Sequence, residues 1–558
     1  MDSVIIENVE KAVNSLPETP PYVVNPLWTA IVGVVIMAVL FEIWLQNSRE
    51  YKLSANIPTP RRLPVIGHGH MALNVSNAEL MDKALKYIDT PGAIIRAFLG
   101  PIMGIGLWNP IDIEAVLSSS SHLEKPQEYN FFKPWFGDGL LISKGHHWQH
   151  HRRMIAPTFH QSILKSFMPT FVQHSNRVVE RMSQEMGKEF DVHKYMSQVT
   201  VEILLSTVMG VKKLPHPDKC LEYANAVLDM CDIIHKRQVK FYYRLDAMFR
   251  FSKLYQKGHD MLNTILNMTQ QVVGERQKDF NAEARAIVEN DADAAKRKQD
   301  TKKAEGLRDD LDDIDENDVG AKKRLALLDA MMEMSKNPDI EWTEKDIIDE
   351  VNTIMFEGHD TTSAASSFVL CILGIYHEIQ DKVLAEQKSI FGDNLMRDCT
   401  FADTLDMKYL ERVIMETLRL YPPVPLIGRR AEHDIKLPSG PYSIPKGTRV
   451  GIIPYAVHRD PKSYPNPNKF DPDNFLPERM AKRHYYSFIP FSAGPRSCVG
   501  RKFAMLKLKV LLSTILRNFV VKCNQEEKDF HLQGDIILKM ENGFNISLER
   551  RPEAMKAM

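Results

Sequence analysis

The stretch FSAGPRSCVG, residues 491–500, sets one cysteine among glycines, a proline and an arginine near the C-terminus of the 558-residue chain. A helical pattern, RKFAMLKLKVLLSTILRNF, begins directly after it. The backbone N–H groups and the dipole at a helix start favour a thiolate over a thiol at Cys498. Gly494 and Gly500 let the chain pass close to a flat partner. Arg496 adds a forked donor that suits a carboxylate.

A thiolate, a close backbone approach and an arginine for a carboxylate together describe the binding of haem, with Cys498 as the iron ligand. A buried structural cysteine would explain the thiol but neither Arg496 nor the two glycines. The segment HHWQHHRRM supports this interpretation, because Trp148 and Arg152 are four residues apart and lie on one helical face. They predict a second pair of donors for the haem propionates.

Composition limits the other possibilities. The formal net charge is −1, which gives no indication of a nucleic-acid partner. The six cysteines are scattered without a CxxC pair, so neither a disulfide framework nor a cysteine zinc cage is expected. The 44% of apolar residues is enough for a large core.

The N-terminal part contains a candidate membrane anchor. LWTAIVGVVIMAVLFEIWL, Leu27–Leu45, carries a single charge, Glu42, and its length fits the hydrocarbon core of a bilayer. Trp28 and Trp44 lie near its ends, with acidic residues before it and basic residues after it. The positive-inside rule therefore predicts a retained single-pass anchor with the C-terminal part in the cytosol. A cleaved signal peptide or a buried core helix fits this pattern less well.

The pattern along the chain predicts four segments. They are a short luminal segment (1–26), the anchor (27–45), a proline-rich stalk (46–70) and a mostly helical body (71–558). Proline is frequent from Pro422 to Pro477, where strands and turns are expected. A charged stretch at about 280–320, poor in aromatic residues, predicts a disordered insert or a solvated helix. A docking element is the alternative interpretation of this insert.

The segment WTEKDIIDEVNTIMFEGHDTTSAASSFVLCILGIY predicts one very long helix or two nearly collinear helices, starting at a capping box of Thr343 and Asp346. Within it, Thr361 can bond back to a carbonyl one turn earlier and bend the helix. Next to the small Gly358, this bend would open a groove for O2 and water. Asp360 and Thr361 are then candidates for relaying protons from solvent.

An ion-pair network is predicted for the proline-rich region. Glu416 and Arg419 in METLRLYPP are three residues apart on a helix, and FLPERM supplies Arg479. An isolated pair of this kind is common. Joined by a second arginine, it could form a buried network with a structural role.

In this order, these motifs resemble those of the cytochrome P450 superfamily and span most of the chain after the anchor. The resemblance implies the cytochrome P450 fold, a mainly α haem-thiolate body with a small β part. It implies haem b with Cys498 as the axial ligand, whose electron push favours O–O cleavage. Electrons would come from NADPH through a flavoprotein reductase. Arg429 and Phe491 are assigned to the haem site together with the residues named above.

The motif FEGHDTT is similar to family 4 of these enzymes, which oxidise fatty chains. There the residue matching Glu357 can form an ester with a haem methyl group, and a carboxylate hydrogen-bonded within the groove is the alternative. A long charged insert at about 280–320 is typical of the insect subfamily G. That subfamily is associated with oxidative decarbonylation of long-chain fatty aldehydes to cuticular hydrocarbons, and this is the activity we expect.

Two alternative functions remain open at this point. One is a family 4 ω-hydroxylase of fatty acids or related lipids, which the haem motifs do not distinguish. The other is a haem-binding sensor without turnover, against which the Asp360–Thr361 pair argues. The expected partners are NADPH-cytochrome P450 reductase, docked on the basic segment HHWQHHRR and on Arg501 and Lys502, with cytochrome b5 as a further candidate. The expected location is the endoplasmic reticulum membrane, from which a long-chain lipid substrate would enter.

Overall fold

The structure is a computed structural model that describes residues 26–73, 75–290 and 325–556. The predicted luminal segment, apart from Pro26, lies outside the described residues. The predicted insert falls largely on residues 291–324, which also lie outside them. Its first residues continue a long helix that ends at Asn290.

Helices make up most of the described chain. They are α1 (Pro26–Asn47), α2 (Arg49–Leu53), α3 (Asn77–Leu85), α4 (Pro110–Leu117), α5 (Lys133–Phe136), α6 (Gly145–Ile155), α7 (Gln161–Ser166), α8 (Met168–Met182), α9 (His193–Thr207), α10 (Pro217–Val239), α11 (Asp246–Arg250), α12 (Lys253–Asn290), α13 (Leu327–Ser335), α14 (Glu344–Ile375), α15 (His377–Phe391), α16 (Phe401–Asp406), α17 (Lys408–Leu420), α18 (Pro454–Val457), α19 (Pro477–Met480), α20 (Arg501–Asn518) and α21 (Pro552–Lys556).

The strands are short. They are β1 (Ile94–Leu99), β2 (Ile102–Leu107), β3 (Phe190–Asp191), β4 (Ile427–Arg430), β5 (Ile435–Lys436), β6 (Ser443–Ile444), β7 (Arg449–Ile452), β8 (Phe519–Lys522), β9 (Leu532–Gly534), β10 (Leu538–Met540) and β11 (Asn545–Arg550). A mixed sheet has the order β1-β2-β7-β4, in which β2 and β7 are parallel. The proline-rich region thus supplies strands, as expected from its lack of helical periodicity.

Helix α1 matches the predicted anchor in place and character. It is long enough to cross a membrane, with a mean hydropathy of 2.2 over its most apolar window, and that window is not buried in the protein. Trp28 and Trp44 are both exposed. These features are consistent with a membrane anchor.

The end of α1 is fastened to the mixed sheet. Glu42 forms an ion pair with Arg62 in the predicted stalk. Leu45 is buried in a small apolar cluster with Phe98 of β1 and Met103 of β2. The stalk therefore packs against the body instead of standing free of it.

Helix α14 runs through the main hydrophobic core, and most of its side chains are buried. Its start is the predicted capping box: the Thr343 side chain accepts from the N–H of Asp346, and the Asp346 carboxylate accepts from the N–H of Thr343. The helix is one continuous element up to Ile375. Beyond Tyr376 the chain bends by 109° into α15, so α15 does not extend α14 collinearly.

The predicted ion-pair network is present but differs in one member. Arg419 donates two hydrogen bonds of 2.7 Å to the carboxylate of Glu416, and both side chains are fully buried. Arg419 also donates to the carbonyls of His458, Pro467 and Lys469. The expected second arginine, Arg479, pairs instead with Asp471 at 2.9 Å. It does so because α19 lies at the surface, where about half of the Arg479 side chain is exposed.

Candidate functional site

A cavity of about 770 Å³ lies between α6, α14, the cysteine loop and the mixed sheet. It brings together most of the residues that the sequence assigned to the haem site. Those that line it are Trp148, Arg152, Glu357, Thr361, Arg429, Phe491, Arg496, Cys498 and Gly500. Gly494 and Asp360 are not among its lining residues.

The loop before α20 is tightly closed and presents Cys498 to the cavity. The N–H of Cys498 donates to the carbonyl of Phe491 at 2.9 Å, and the N–H of Ser497 donates to the carbonyl of Gly494 at 2.9 Å. Ser492 adopts a positive φ of 59°, a conformation that costs about 1–2 kcal/mol for a residue with a side chain. The side chain of Cys498 is exposed and lines the cavity.

The state of the thiol depends on opposing effects. Burial raises the pKa of Cys498 to about 11, and the nearby carboxylate of Glu357 acts in the same direction. The N–H of Gly500 at the start of α20 and the charges of Arg152 and Arg501 lower the pKa, as the helix start predicted, but burial outweighs them. A metal ion would reverse this balance, because a coordinating thiol is deprotonated.

Gly494 allows a close approach between two backbone segments. Its φ is +68°, and a Cβ atom there would lie 1.9 Å from the carbonyl oxygen of Leu117. The glycine therefore lets the cysteine loop pack against the end of α4. The assignment of Gly494 to the haem site stays a prediction.

Besides Arg244 and Arg449, which form ion pairs with Glu128, four cationic side chains line the cavity. Arg152, Arg429 and Arg496 were predicted, and the structure adds Lys125. Burial lowers the pKa of all four groups, and for Lys125 the charges of Arg429 and Arg496 lower it further. Among the described residues, the carboxylate of Glu357 raises the pKa of both Lys125 and Arg152, and that of Glu124 raises the pKa of Arg496, but burial outweighs both effects. This end of the cavity therefore favours an anionic ligand.

Arg496 is held in place by the backbone. Its two terminal nitrogens donate to the carbonyls of Leu140 and Ser143, at 3.2 and 2.6 Å. Its guanidinium lies 4.1 Å from the ring centroid of Trp148. The fork expected to bind a carboxylate is thus occupied by carbonyls, while the buried Nε has no hydrogen-bond partner. That nitrogen remains as a donor for a ligand.

Haem fits this arrangement. Its two propionates would offset the excess of positive charge, and the thiol of Cys498, which lines the same cavity, would bind the iron. The unpartnered Nε of Arg496 and the single backbone bond of Arg429, 2.9 Å to the carbonyl of Gly428, leave donors for those propionates.

Glu357 faces the cavity with an unusual proton affinity. Burial raises its pKa to about 7, Glu350 adds to this effect, and the charges of Lys125 and Arg152 oppose it. Near neutral pH the carboxyl of Glu357 is therefore divided between its neutral and charged forms. A side chain in this state can serve both as a donor and as an acceptor.

The two predicted proton-relay residues face different surroundings. Thr361 lines the cavity, and its hydroxyl donates to the carbonyl of Glu357 at 2.6 Å, the back-bond expected for a threonine within a helix. Asp360 is fully buried outside the cavity, and its nearest cation is the Nζ of Lys539 at 3.8 Å. Neither carboxylate oxygen of Asp360 has a hydrogen-bond partner.

The rest of the cavity is largely apolar and extends towards the anchor. Its lining includes Met71 and Ala72 from the segment that follows the stalk. The turn between β9 and β10 also lines it, with Ile536 and Ile537. The turn at Gly543 lies outside the cavity lining, since a Cβ atom there would meet Asn545 and Asp191.

Comparisons with known proteins agree with this site. The profile of the family "Cytochrome P450" matches residues 57–548. The chain is 65% identical to "Cytochrome P450 4g1" of Drosophila melanogaster over 554 residues, which cover 99% of both chains. It is 47% identical to "Cytochrome P450 4g15" of the same organism, over 92% of this chain and 95% of that protein. It is also 34% identical to the mouse "Cytochrome P450 4V2", over 94% of this chain and 97% of that protein.

A solved structure supports the fold. The structure titled "Crystal structure of cytochrome P450DA heme domain" superimposes with a TM-score of 0.70 at 18% identity, covering 89% of this chain and 98% of that chain.

A helical body with a cysteine facing a cation-lined cavity defines the haem-thiolate class of monooxygenases. The chain belongs to the cytochrome P450 family, within family 4 and with the insect subfamily G as its match. Membership of this family implies haem iron with a thiolate ligand and a redox partner that supplies electrons.

Proposed function

We propose that this monooxygenase carries out the oxidative decarbonylation of long-chain fatty aldehydes to hydrocarbons. The observation that carries the proposal is the 65% identity with "Cytochrome P450 4g1" over 99% of both chains. The charged stretch at about 280–320, which is typical of subfamily G, supports the same assignment. The apolar cavity supports a long-chain substrate, because its lining extends from Cys498 to Met71 and Ala72, which follow the stalk.

We assign the following roles to the residues of the site. Cys498 would bind the haem iron, and the bound haem would supply O2 activation. Lys125, Arg152, Arg429 and Arg496 hold the propionates, with Trp148 supporting Arg496. Phe491 and Gly500 complete the wall at the cysteine loop.

Thr361 has a defined part in proton delivery. Because its hydroxyl hydrogen is donated to the carbonyl of Glu357, its oxygen is left to accept a hydrogen bond from a water in the cavity. Thr361 would thus hold a proton donor inside the cavity that haem would occupy. Asp360 is kept as the proposed second member of the relay, although its carboxylate lies outside the cavity, 3.8 Å from the Nζ of Lys539, and a transfer from it has to pass through intervening groups.

The overall reaction balances with one O2 and one NADPH. The bond between the aldehyde carbon and its neighbour breaks, and the chain carbon takes up a hydrogen to become an alkane. The aldehyde carbon leaves as carbon dioxide, which contains one oxygen atom of O2. The second oxygen atom leaves as water, formed with two electrons from NADPH and two protons.

We propose in addition that Glu357 forms an ester with a haem methyl group. Its position on the cavity wall and its pKa of about 7 support this role, because part of the population carries a neutral carboxyl. Forming the ester removes two electrons and two protons, which O2 takes up during turnover. The test is extraction of the haem from denatured protein with acidified organic solvent. Haem that stays with the native chain but is extracted from Glu357→Ala would support the bond, and full extraction from both would contradict it.

NADPH-cytochrome P450 reductase is the proposed electron donor, and cytochrome b5 is a further proposed partner. The exposed side chains of His146, Arg153, Arg501 and Lys502 support a basic docking surface on the cysteine side of the haem. The anchor α1 supports the proposed location in the endoplasmic reticulum membrane, with the body in the cytosol.

Product analysis tests the proposed reaction. The full-length protein in membranes is incubated with reductase, NADPH and a labelled C18 aldehyde, and products are identified by mass spectrometry. A C17 alkane that depends on both NADPH and O2 is the expected product. Hydroxylated fatty products without an alkane would instead establish the ω-hydroxylase alternative.

A further inference from the structure

A second group of chemically competent side chains lies outside the cavity, where α6 meets the start of α14. His147 and His151 are one helical turn apart on α6, and the Nε2 atom of each lies 4.0 Å from Oδ1 of Asp346. The candidate ligand atoms of the three residues lie within 4.8 Å of one another. In a tetrahedral zinc centre, bonds of about 2.1 Å place the ligand atoms roughly 3.4 Å apart. Small side-chain rotations would therefore close a metal centre.

The carboxylate of Asp346 is oriented for such a role. Its Oδ2 atom accepts hydrogen bonds from the N–H of Thr343 at 2.8 Å and from the hydroxyl of Thr343 at 2.6 Å. These bonds belong to the capping box of α14 and fix the side chain. The other oxygen, Oδ1, lies beside the two imidazoles, where it could bind a metal as a monodentate ligand.

His151 is oriented by a buried carboxylate. Its Nδ1 atom lies 2.7 Å from Oε1 of Glu350, which is fully buried, and the ring stacks on Trp342 with centroids 4.2 Å apart. Oε2 of Glu350 accepts from the N–H of Leu140 at 3.0 Å. A carboxylate on one imidazole nitrogen fixes the tautomer that leaves the other nitrogen free for a metal. The pair Glu350–His151 has this arrangement.

His147 provides the accessible side of the group. Its side chain is 40% exposed, whereas that of His151 is 1% exposed. Its Nε2 atom lies 3.1 Å from the carbonyl of Asp138, a contact that a metal would replace. The exposure gives an entry path and leaves room for water as a fourth ligand.

We propose that His147, His151 and Asp346 form a binding site for a divalent transition metal of the zinc class, with Glu350 orienting His151. Two histidines four residues apart on one helix, completed by a carboxylate from another element, suit zinc. The ion joins α6 to the N-terminus of α14. It acts as a structural clamp between two helices that both line the haem cavity.

The same helix contains a matched control. His146 and His150 have the same spacing, and their ring centroids are 6.3 Å apart. Within the described ranges, however, the group of His147, His151 and Asp346 is the one set whose ligand atoms approach closely enough to hold a metal. Comparing variants of the two pairs therefore distinguishes a specific metal site from non-specific binding by a histidine-rich helix.

Zinc binding to the full-length haem protein, purified without a polyhistidine tag, tests the proposal. Zinc chloride is titrated against a chromophoric chelator to obtain stoichiometry and affinity, and the thermal midpoint is recorded with and without zinc. We expect one zinc per chain and a raised midpoint. Asp346→Asn, which keeps an acceptor for the capping box, and His147→Ala should each weaken binding by at least about tenfold, and Glu350→Gln by about 10- to 100-fold.

The His146→Ala/His150→Ala double variant should bind zinc like the native protein. Equal affinities for the native protein, Asp346→Asn and His147→Ala would overturn the proposal. A loss of binding in the double variant alone would also overturn it, since the other pair would then hold the metal. Because the readout is metal binding, the result is independent of the proposed decarbonylation.

Discussion

Replacing Glu416 by alanine would test the buried ion pair that joins α17 to the proline-rich region. The substitution leaves Arg419 as a fully buried charge without its carboxylate, which costs about 3–5 kcal/mol. It also removes the acceptor of the Asp471 N–H at 2.8 Å and of the Asn474 amide at 3.1 Å. The carbonyls that remain around Arg419 accept its hydrogen bonds but do not neutralise its charge.

The expected shift of the unfolding midpoint follows from the size of the body. An unfolding entropy of about 2.1 cal/mol/K per residue over roughly 490 residues gives about 1 kcal/mol/K, so the midpoint should fall by about 3–5 °C. Arg479→Ala is the matched control. It breaks a pair in which the side chains of Arg479 and Asp471 are 51% and 38% exposed, and such pairs contribute about 0–1 kcal/mol. Midpoints are measured by haem absorbance and circular dichroism, and equal shifts for the two variants would refute the reasoning.

Four further predictions concern the haem site and the docking of the reductase. Cys498→Ala should abolish haem binding, and an unchanged Soret band would contradict the ligand assignment. Thr361→Val should lower product formed per NADPH consumed by at least about tenfold; an unchanged ratio would exclude its part in proton delivery. Before turnover, while the carboxyl of Glu357 is still free of the proposed ester, Glu357→Gln should become progressively more stable relative to the native protein as pH rises from 5 to 8. The folded-state pKa of Glu357, raised to about 7, means that the folded protein holds more protons than the unfolded chain in this window, so native stability falls there. Parallel denaturation curves at all pH values would disprove the shift. Electron transfer from the reductase should slow as ionic strength increases, and salt-insensitive rates would exclude a basic docking surface.

Local chemistry allowed much of the fold and part of the site to be predicted. The capping box of Thr343 and Asp346 and the back-bond of Thr361 depend on residues three or four positions apart, which a sequence displays directly. The apolar run of α1 is likewise a local signal. The glycines and the arginine next to Cys498 indicated a haem ligand, because a buried structural cysteine does not require such neighbours.

Features that depend on distant segments could not be predicted in the same way. Lys125 reaches the haem cavity only because the segment before α5 packs against β4, and no motif surrounds it. Arg479 was assigned to Glu416, although the surface position of α19 places it beside Asp471. Consecutive side chains of an α-helix point in directions about 100° apart. Thr361 therefore lines the cavity, whereas its neighbour Asp360 is buried outside it. In each case the packing of elements decides the outcome.

The attachment of α1 to β1 and β2 determines how the molecule rotates in a bilayer. A body on a slack tether tumbles independently of its anchor, whereas the ion pair of Glu42 with Arg62 and the apolar cluster around Leu45 couple the two. Rotational diffusion is then restricted to the bilayer normal and slowed by lipid viscosity. Encounters with the proposed membrane-bound reductase would then be a search in two dimensions. Each protein would keep a fixed orientation relative to the membrane plane during that search.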